Sequence, residues 1–237
     1  MRTLAIVPVK SFETAKQRLA AALARGSRES LAQAMFSDVL AALRRCRLVD
    51  AIAVVTADAS AESLAQGHAA VLYDEARAGQ SAAAEIGIRH AVAARFERVL
   101  LVPGDTPLID AAEVDALLER TERDGIAVGI VGDRHGTGTN ALVLAPPDAM
   151  APSFGPDSLA RHVAAADEAG VSHRVELAAS LAHDVDTPDD LADLWSAIEG
   201  LRGGAQRTRG TLRQLDRAGT PGGGVAGHPH AAARTTT

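Results

Sequence analysis

Short apolar runs alternate with amphipathic stretches over the first 200 residues of this chain. The runs at 3–9, 51–56, 69–73, 98–102, 126–131 and 140–145 predict strands. Between them, the stretches at about 28–47, 60–66, 80–95, 111–123, 157–169 and 188–200 predict helices. In the first of these, Leu31, Met35, Val39, Leu43 and Cys46 recur at three- and four-residue spacing, which places them on one helical face. Asp110 followed by Glu113 has the pattern of a capping box at the start of the fourth. Thr187-Pro188-Asp189-Asp190 opens the last: a threonine suits the cap, a proline the first helical position, and acids the positive helix end. Strands alternating with helices imply an α/β fold, a mostly parallel sheet with helices on both faces. Such sheets take ligands at the carboxyl ends of their strands, so the segments that follow the strands hold the candidate chemistry.

After the first strand comes Pro8-Val9-Lys10-Ser11-Phe12-Glu13-Thr14-Ala15-Lys16-Gln17-Arg18-Leu19. Lys10, Lys16 and Arg18 suit neutralisation of a polyphosphate; a basic, solvated loop is the plain alternative. The GxxxxGK[ST] phosphate loop is absent. After the fourth strand, Pro103-Gly104-Asp105-Thr106-Pro107 puts a carboxylate beside a glycine, where it would hold Mg²⁺ against phosphates or simply make a turn. Late in the chain, His183-Asp184-Val185-Asp186-Thr187 offers Asp186 as a second metal carboxylate. Helix capping is the better reading of Asp189 and Asp190, and Asp184 has no preferred role. Asp133-Arg134-His135-Gly136-Thr137-Gly138-Thr139-Asn140 is a polar loop whose alternate glycines let the backbone approach a ligand, or an ordinary connection. Phe154-Gly155-Pro156-Asp157-Ser158 brings glycine and serine to a helix start, either an anion site or a plain cap by Asp157 or Ser158.

Composition narrows the picture. Only 3% of the 237 residues are aromatic against 47% hydrophobic, so the core is built of Ala, Val, Leu and Ile. No apolar run approaches the roughly 18–20 residues of a membrane span. The opening MRTLAIVPVK turns polar too early for a secretory signal, and Cys46 is the single cysteine, so the expected compartment is the cytoplasm, with no membrane partner. The net charge of −6 is unevenly spread: residues 201–237 carry +5 and residues 1–200 carry −11. An acidic body argues against nucleic acid as a partner. One domain is expected over 1–200. A disordered Gly/Arg-rich tail is expected over 201–237, where eight of the 21 glycines fall. The body histidines form no HxxxH or HxH pair, and GxSxG, CxxC and GxGxxG are absent, which excludes α/β-hydrolase, zinc-ribbon and dinucleotide-fingerprint readings.

Several of these segments together resemble one family. LAIVPVKSFETAKQRLA, PGDTPLI, DRHGTGTNAL, FGPDSLARH and HDVDTPDDL follow in the order of the CofC or FbiD guanylyltransferases of coenzyme F420 biosynthesis, over roughly residues 1–198. The resemblance implies a Rossmann-like, glycosyltransferase-A-like nucleotidyltransferase fold. It implies transfer of GMP from GTP to a phosphorylated three-carbon acid with release of pyrophosphate. Phosphoenolpyruvate is the expected acceptor, and 2-phospho-L-lactate or 3-phospho-D-glycerate the alternatives; a molybdopterin or sugar-phosphate acceptor would keep the chemistry and change the substrate. By the same resemblance, Thr139, Gly155 and Ser158 bind the acceptor, with Thr137 the alternative to Thr139. Pro8, Lys10, Gly79, Ser81 and Gly104 bind the nucleotide, Lys16, Arg18 and Asp105 are catalytic, and Asp105 and Asp186 hold Mg²⁺. The chain departs from the family at Thr106, where a leucine is usual, and at Ser81, where an asparagine is expected near the guanine. A monomer or homodimer is expected.

Overall fold

The computed structural model describes residues 1–201 and 203–217. Its centre is a seven-stranded sheet of β1 (Thr3–Pro8), β2 (Ala51–Thr56), β3 (Ala70–Tyr73), β4 (Arg98–Leu101), β5 (Val128–Gly132), β6 (Thr139–Leu144) and β7 (His173–Glu176). The order across the sheet is β3-β2-β1-β4-β6-β5-β7. Every neighbouring pair is parallel except those of β6, which runs antiparallel to both β4 and β5. That reversal matters for the site. The start of β6 lies beside the carboxyl ends of its neighbours β4 and β5, at the same edge of the sheet as the end of β1, so residues 139 and 140 join the segments that follow those strands.

Among the described residues there are seven α-helices: α1 (Arg25–Leu43), α2 (Ala59–Ala65), α3 (Gln80–Ala93), α4 (Ala111–Arg123), α5 (Ser158–Ala169), α6 (Pro188–Gly200) and α7 (Gln206–Arg217). Strand residues alternate between two buried faces, as the pleat requires. Ala5, Val7, Ile52, Val54, Leu100 and Val143 pack with α1, α2 and α4. Leu4, Ile6, Ala53, Val55, Leu101 and Leu142 pack with α3 and α5. Helix α3 lies so close to β1 that a Cβ at Gly87 would collide with the Ile6 side chain. Cys46 is buried in the first of these clusters, and burial, helped by Asp115, pushes its thiol up to about 12. Such a thiol is a packing group, not a nucleophile.

The six strands and six helices expected from periodicity are present, with ends displaced by a few residues. Asp110 caps α4 by accepting the Glu113 N–H at 3.0 Å. The reciprocal half of that box is absent, because the Glu113 carboxylate accepts the amides of Ala179 and Ser180 instead. At α6 the box is complete, with Thr187 and Asp190 capping each other's backbone. Strand β7 was not expected: its four residues, HRVE, are mostly polar at an edge paired only with β5.

The expected disordered tail is corrected over residues 206–217, which form α7. A third cluster explains it: Leu31 and Met35 of α1, Leu194 and Ile198 of α6 and Leu212 of α7 bury one another. Asp38 of α1 caps α7 from outside its own chain segment, accepting the N–H groups of Arg207 at 3.1 Å and Thr208 at 2.8 Å. Arg209 donates to the carbonyls of Ile198 and Leu201, which tie the end of α6 to α7. The expectation for 218–237 lies outside the described residues. Among the described residues no helix is long and apolar enough to cross a membrane. Removing the Asp38 cap should cost about 1 kcal/mol at α7. Asp38→Ala is therefore expected to speed tryptic cleavage at Arg207, Arg209 and Arg213 while amides of the sheet keep their exchange protection; limited proteolysis with hydrogen-exchange mass spectrometry measures both.

Candidate active site

A cleft of about 990 Å³ opens at the carboxyl ends of β1, β2 and β4 and the start of β6. Eleven of the twelve residues singled out from sequence line it: Pro8, Lys10, Lys16, Arg18, Gly79, Gly104, Asp105, Thr139, Gly155, Ser158 and Asp186. Ser81 is the correction. It does not line the cleft, and its hydroxyl accepts the Phe154 N–H at 2.9 Å, which ties α3 to the segment carrying Gly155.

The cationic wall is built by the segment after β1. Val9 continues the sheet by donating its N–H to Val55 at 2.9 Å. Phe12 then turns inward, packs on Phe36 of α1 with ring centroids 5.7 Å apart, and donates its N–H to Asp58 at 3.0 Å. Four residues beyond Phe12, Lys16 adopts a left-handed backbone, φ 55° and ψ 40°. A non-glycine residue there costs roughly 1–2 kcal/mol. The conformation directs its side chain into the protein, where only 6% of it is exposed. Its ammonium pairs with Asp105 and, at 3.0 Å, with Asp186 Oδ1. Burial alone would lower the Lys16 pKa, but the two carboxylates outweigh burial and hold it above the ordinary lysine value. Lys16 is thus a fixed positive charge. Arg18 stands 3.9 Å from Asp186 with 76% of its side chain exposed, and Lys10 is exposed at the cleft.

The acidic floor comes from two further segments. Asp105 follows β4 in a turn held by Thr106, whose hydroxyl donates to the Pro103 carbonyl at 3.3 Å. Asp184 and Asp186 flank Val185, which is 1% exposed in the third apolar cluster. Alternate residues of an extended segment face opposite ways, so anchoring Val185 sends both acids to the cleft. Asp184, to which sequence reasoning assigned no role, accepts from Asn140 Nδ2 at 3.2 Å. Burial, with the charge of Asp105 second, raises its pKa above the usual carboxylate value. The pattern acid–apolar–acid was the signal for it. Asp190 is structural: its Oδ2 accepts the Asp186 and Thr187 amides at 2.9 and 2.7 Å, and its Oδ1 pairs with Arg134. Mg²⁺ takes one or two carboxylates and fills its shell with phosphate oxygens and water. Asp105 and Asp186 fit that requirement, since both already contact a single cation, the Lys16 ammonium. Among the described residues no three His, Cys, Asp or Glu side chains form a ready-made cage.

The cleft is also lined by Thr139, Gly155 and Ser158. Gly155 has φ +115°, a backbone that side-chain-bearing residues rarely adopt. Asp157 is also left-handed and makes no side-chain cap, so the capping bond expected from it at α5 does not form. The Ser158 and Leu159 amides are satisfied by the carbonyls of Gly155 and Thr137, which joins the two loops of this wall. Thr139 is buried and Thr137 exposed. The Thr139 hydroxyl lies 2.9 Å from Nδ1 of His162, whose Nε2 is 2.8 Å from the Ser153 amide. Burial, then the charge of Arg161, pushes the His162 pKa down to about 4.

A family profile described as "Guanylyl transferase CofC like" matches residues 3–225. The phosphoenolpyruvate guanylyltransferase of Conexibacter woesei is 53% identical over 216 residues, 91% of this chain and 97% of that one. The 2-phospho-L-lactate guanylyltransferase of Methanothermobacter thermautotrophicus is 35% identical over 216 residues, 91% of this chain and 92% of that one. Among solved structures, a Leptospira borgpetersenii cytidylyltransferase superposes with a TM-score of 0.60 at 10% identity, over 92% of this chain and 95% of that one. A Desulfovibrio desulfuricans G20 protein, named as a candidate nucleotide-diphospho-sugar transferase, superposes with 0.73 at 18% identity, over 92% of this chain and 96% of that one. These two share the fold.

The His162 environment carries a pH signature. The ring titrates at about 4 in the fold and near 6.5 unfolded, so its contribution is complete above pH 6.5 and is lost as pH falls through 4. The stability advantage of the parent over His162→Phe is therefore expected to shrink as pH falls from 7 to 4; urea unfolding of the pair across that range measures it.

Proposed function

The chain belongs to the CofC-like guanylyl transferases, and from that premise we propose that it transfers GMP from GTP to phosphoenolpyruvate. The products are enolpyruvyl-diphospho-5'-guanosine, a precursor in coenzyme F420 biosynthesis, and pyrophosphate. The observation that carries this reading is the Lys16 ammonium bound between Asp105 and Asp186 in a cleft whose other wall presents Thr139 and the α5 N-terminus. One wall answers a triphosphate and the other a small acid. Phosphoenolpyruvate is supported by the names of the relatives at 53% and 40% identity; the 35% identical relative named for 2-phospho-L-lactate makes that acid the second candidate.

In the reaction a phosphate oxygen of the acceptor attacks the α-phosphorus of GTP in line, and the bond from that phosphorus to the β-phosphate oxygen breaks. The attacking oxygen is already anionic near neutral pH, so no general base is needed. The protein contributes position and charge. Lys16 keeps its proton and acts electrostatically. Arg18 and Lys10 face the triphosphate from the open side, with Lys10 toward the α-phosphate. Pro8, Gly79 and Gly104 line the nucleotide side without competing charge. Asp105 and Asp186 would hold Mg²⁺, which when bound would supply charge neutralisation for phosphate oxygens.

Pyrophosphate release with GTP and Mg²⁺ is expected with phosphoenolpyruvate and not with 2-phospho-L-lactate or 3-phospho-D-glycerate; release with neither it nor the others by folded protein would defeat the reading. Asp105→Ala is expected to keep the wild-type circular dichroism spectrum and to lose roughly 100-fold or more in kcat. Arg18→Ala is expected mainly to raise the KM for GTP, which steady-state kinetics with varied GTP will measure.

A further inference from the structure

His162 is fully buried on α5, and the acceptor wall depends on both of its nitrogens. A backbone amide only donates, so the Ser153 N–H at 2.8 Å requires Nε2 to be unprotonated. The neutral ring then carries its proton on Nδ1 and donates it to Thr139 Oγ1 at 2.9 Å. Among the described residues, no protein oxygen takes the Thr139 hydroxyl proton, and Thr139 lines the cleft. That proton is left to point at a ligand.

We propose that His162 is a positioning residue for the acceptor: it fixes Thr139 as a hydrogen-bond donor toward an anionic oxygen and, through Ser153, holds the segment that carries Gly155 and Ser158. The proposal rests on the guanylyltransferase reading above and goes further in naming how the acceptor wall is set. The ring is itself fixed by packing. Phe154 meets it edge-on, with centroids 5.2 Å apart and planes at 74°. Arg161, the next residue, clamps the same segment by donating to Ser153 Oγ, the Ser153 carbonyl and the Pro156 carbonyl. Among the described residues no acidic side chain contacts the ring, and the neighbouring Arg161 disfavours a second proton on it. A threonine fixed as a donor favours an ionised carboxylate or phosphate over a hydroxyl in the same place.

The test uses the full chain, three variants at His162, Thr139→Val, and the Thr139→Val/His162→Phe double variant. His162→Phe keeps the ring volume and removes both hydrogen bonds. His162→Asn places an amide donor near the Nδ1 position, and His162→Gln places an amide oxygen near the Nε2 position. His162→Phe is expected to raise the KM for phosphoenolpyruvate roughly 10- to 100-fold, the worth of one hydrogen bond to a charged group. The KM for GTP should stay within about twofold of wild type. His162→Asn should regain part of the loss. Thr139→Val should show part of that loss, and adding His162→Phe to it should cost less than the sum of the two single losses, because the two share the Thr139 contact while His162 also holds Ser153. Unchanged acceptor kinetics in His162→Phe, or full additivity with Thr139→Val, would overturn the proposal. Nitrogen-15 NMR of the histidine rings reads the tautomer in the wild-type protein independently of turnover and of variant folding: Nδ1–H supports the proposal and Nε2–H overturns it. If wild type turns over no acceptor, the guanylyltransferase reading fails by itself, and the tautomer together with the change in phosphoenolpyruvate affinity on Thr139→Val still decides the role of His162.

Discussion

One buried ammonium organises the charge centre of this protein. Lys16 meets Asp105 and Asp186, residues brought from three distant parts of the chain. Two carboxylates held close to one point repel each other, and a third, Asp184, lies close enough that Asp105 raises its pKa. The ammonium offsets that repulsion, and the carboxylates in turn keep it charged despite burial. Each partner makes the others tolerable in a partly desolvated place. The left-handed backbone at Lys16 is the local cost of bringing the ammonium in.

The rest of the fold holds that meeting point in place. Parallel β1 and β4 end side by side, which sets the segments carrying Lys16 and Asp105 next to each other. Packing of Val185 between α1 and α6 delivers Asp186, and the Thr187–Asp190 box fixes where the helix behind it begins. Helix α7 belongs to this support. It covers α1 and α6, the helices whose buried faces set the Asp186 segment. The site therefore leans on an element that composition alone assigns to a tail.

The wall formed by Thr139, Gly155 and Ser158 follows a different logic. Its groups are mostly neutral, and their directions are set by hydrogen bonds between segments: Ser81 to Phe154, Leu159 to Thr137, and His162 to both Thr139 and Ser153. A cleft with fixed charge on one side and oriented donors on the other can separate a triphosphate from a small acid without relying on shape alone.

Periodicity and turn chemistry in the sequence determined most of the strands and helices, because both faces of the sheet are buried and the pattern repeats locally. They also determined the segments that line the cleft, since a parallel sheet presents its ligands where strands end. Strand β7 escaped because an edge strand of four mixed residues has little pattern to read. Helix α7 had one signal, Thr208, Leu212 and Leu215 on one helical face, within a stretch otherwise rich in arginine and glycine. Its helicity depends on the Asp38 cap and on the apolar faces of α1 and α6, which no local window contains. The spent hydroxyl of Ser81, the inward turn of Asp184 and the two contacts of His162 are likewise tertiary facts. Each depends on a partner in another segment of the chain, and a side chain's role is decided by what stands opposite it.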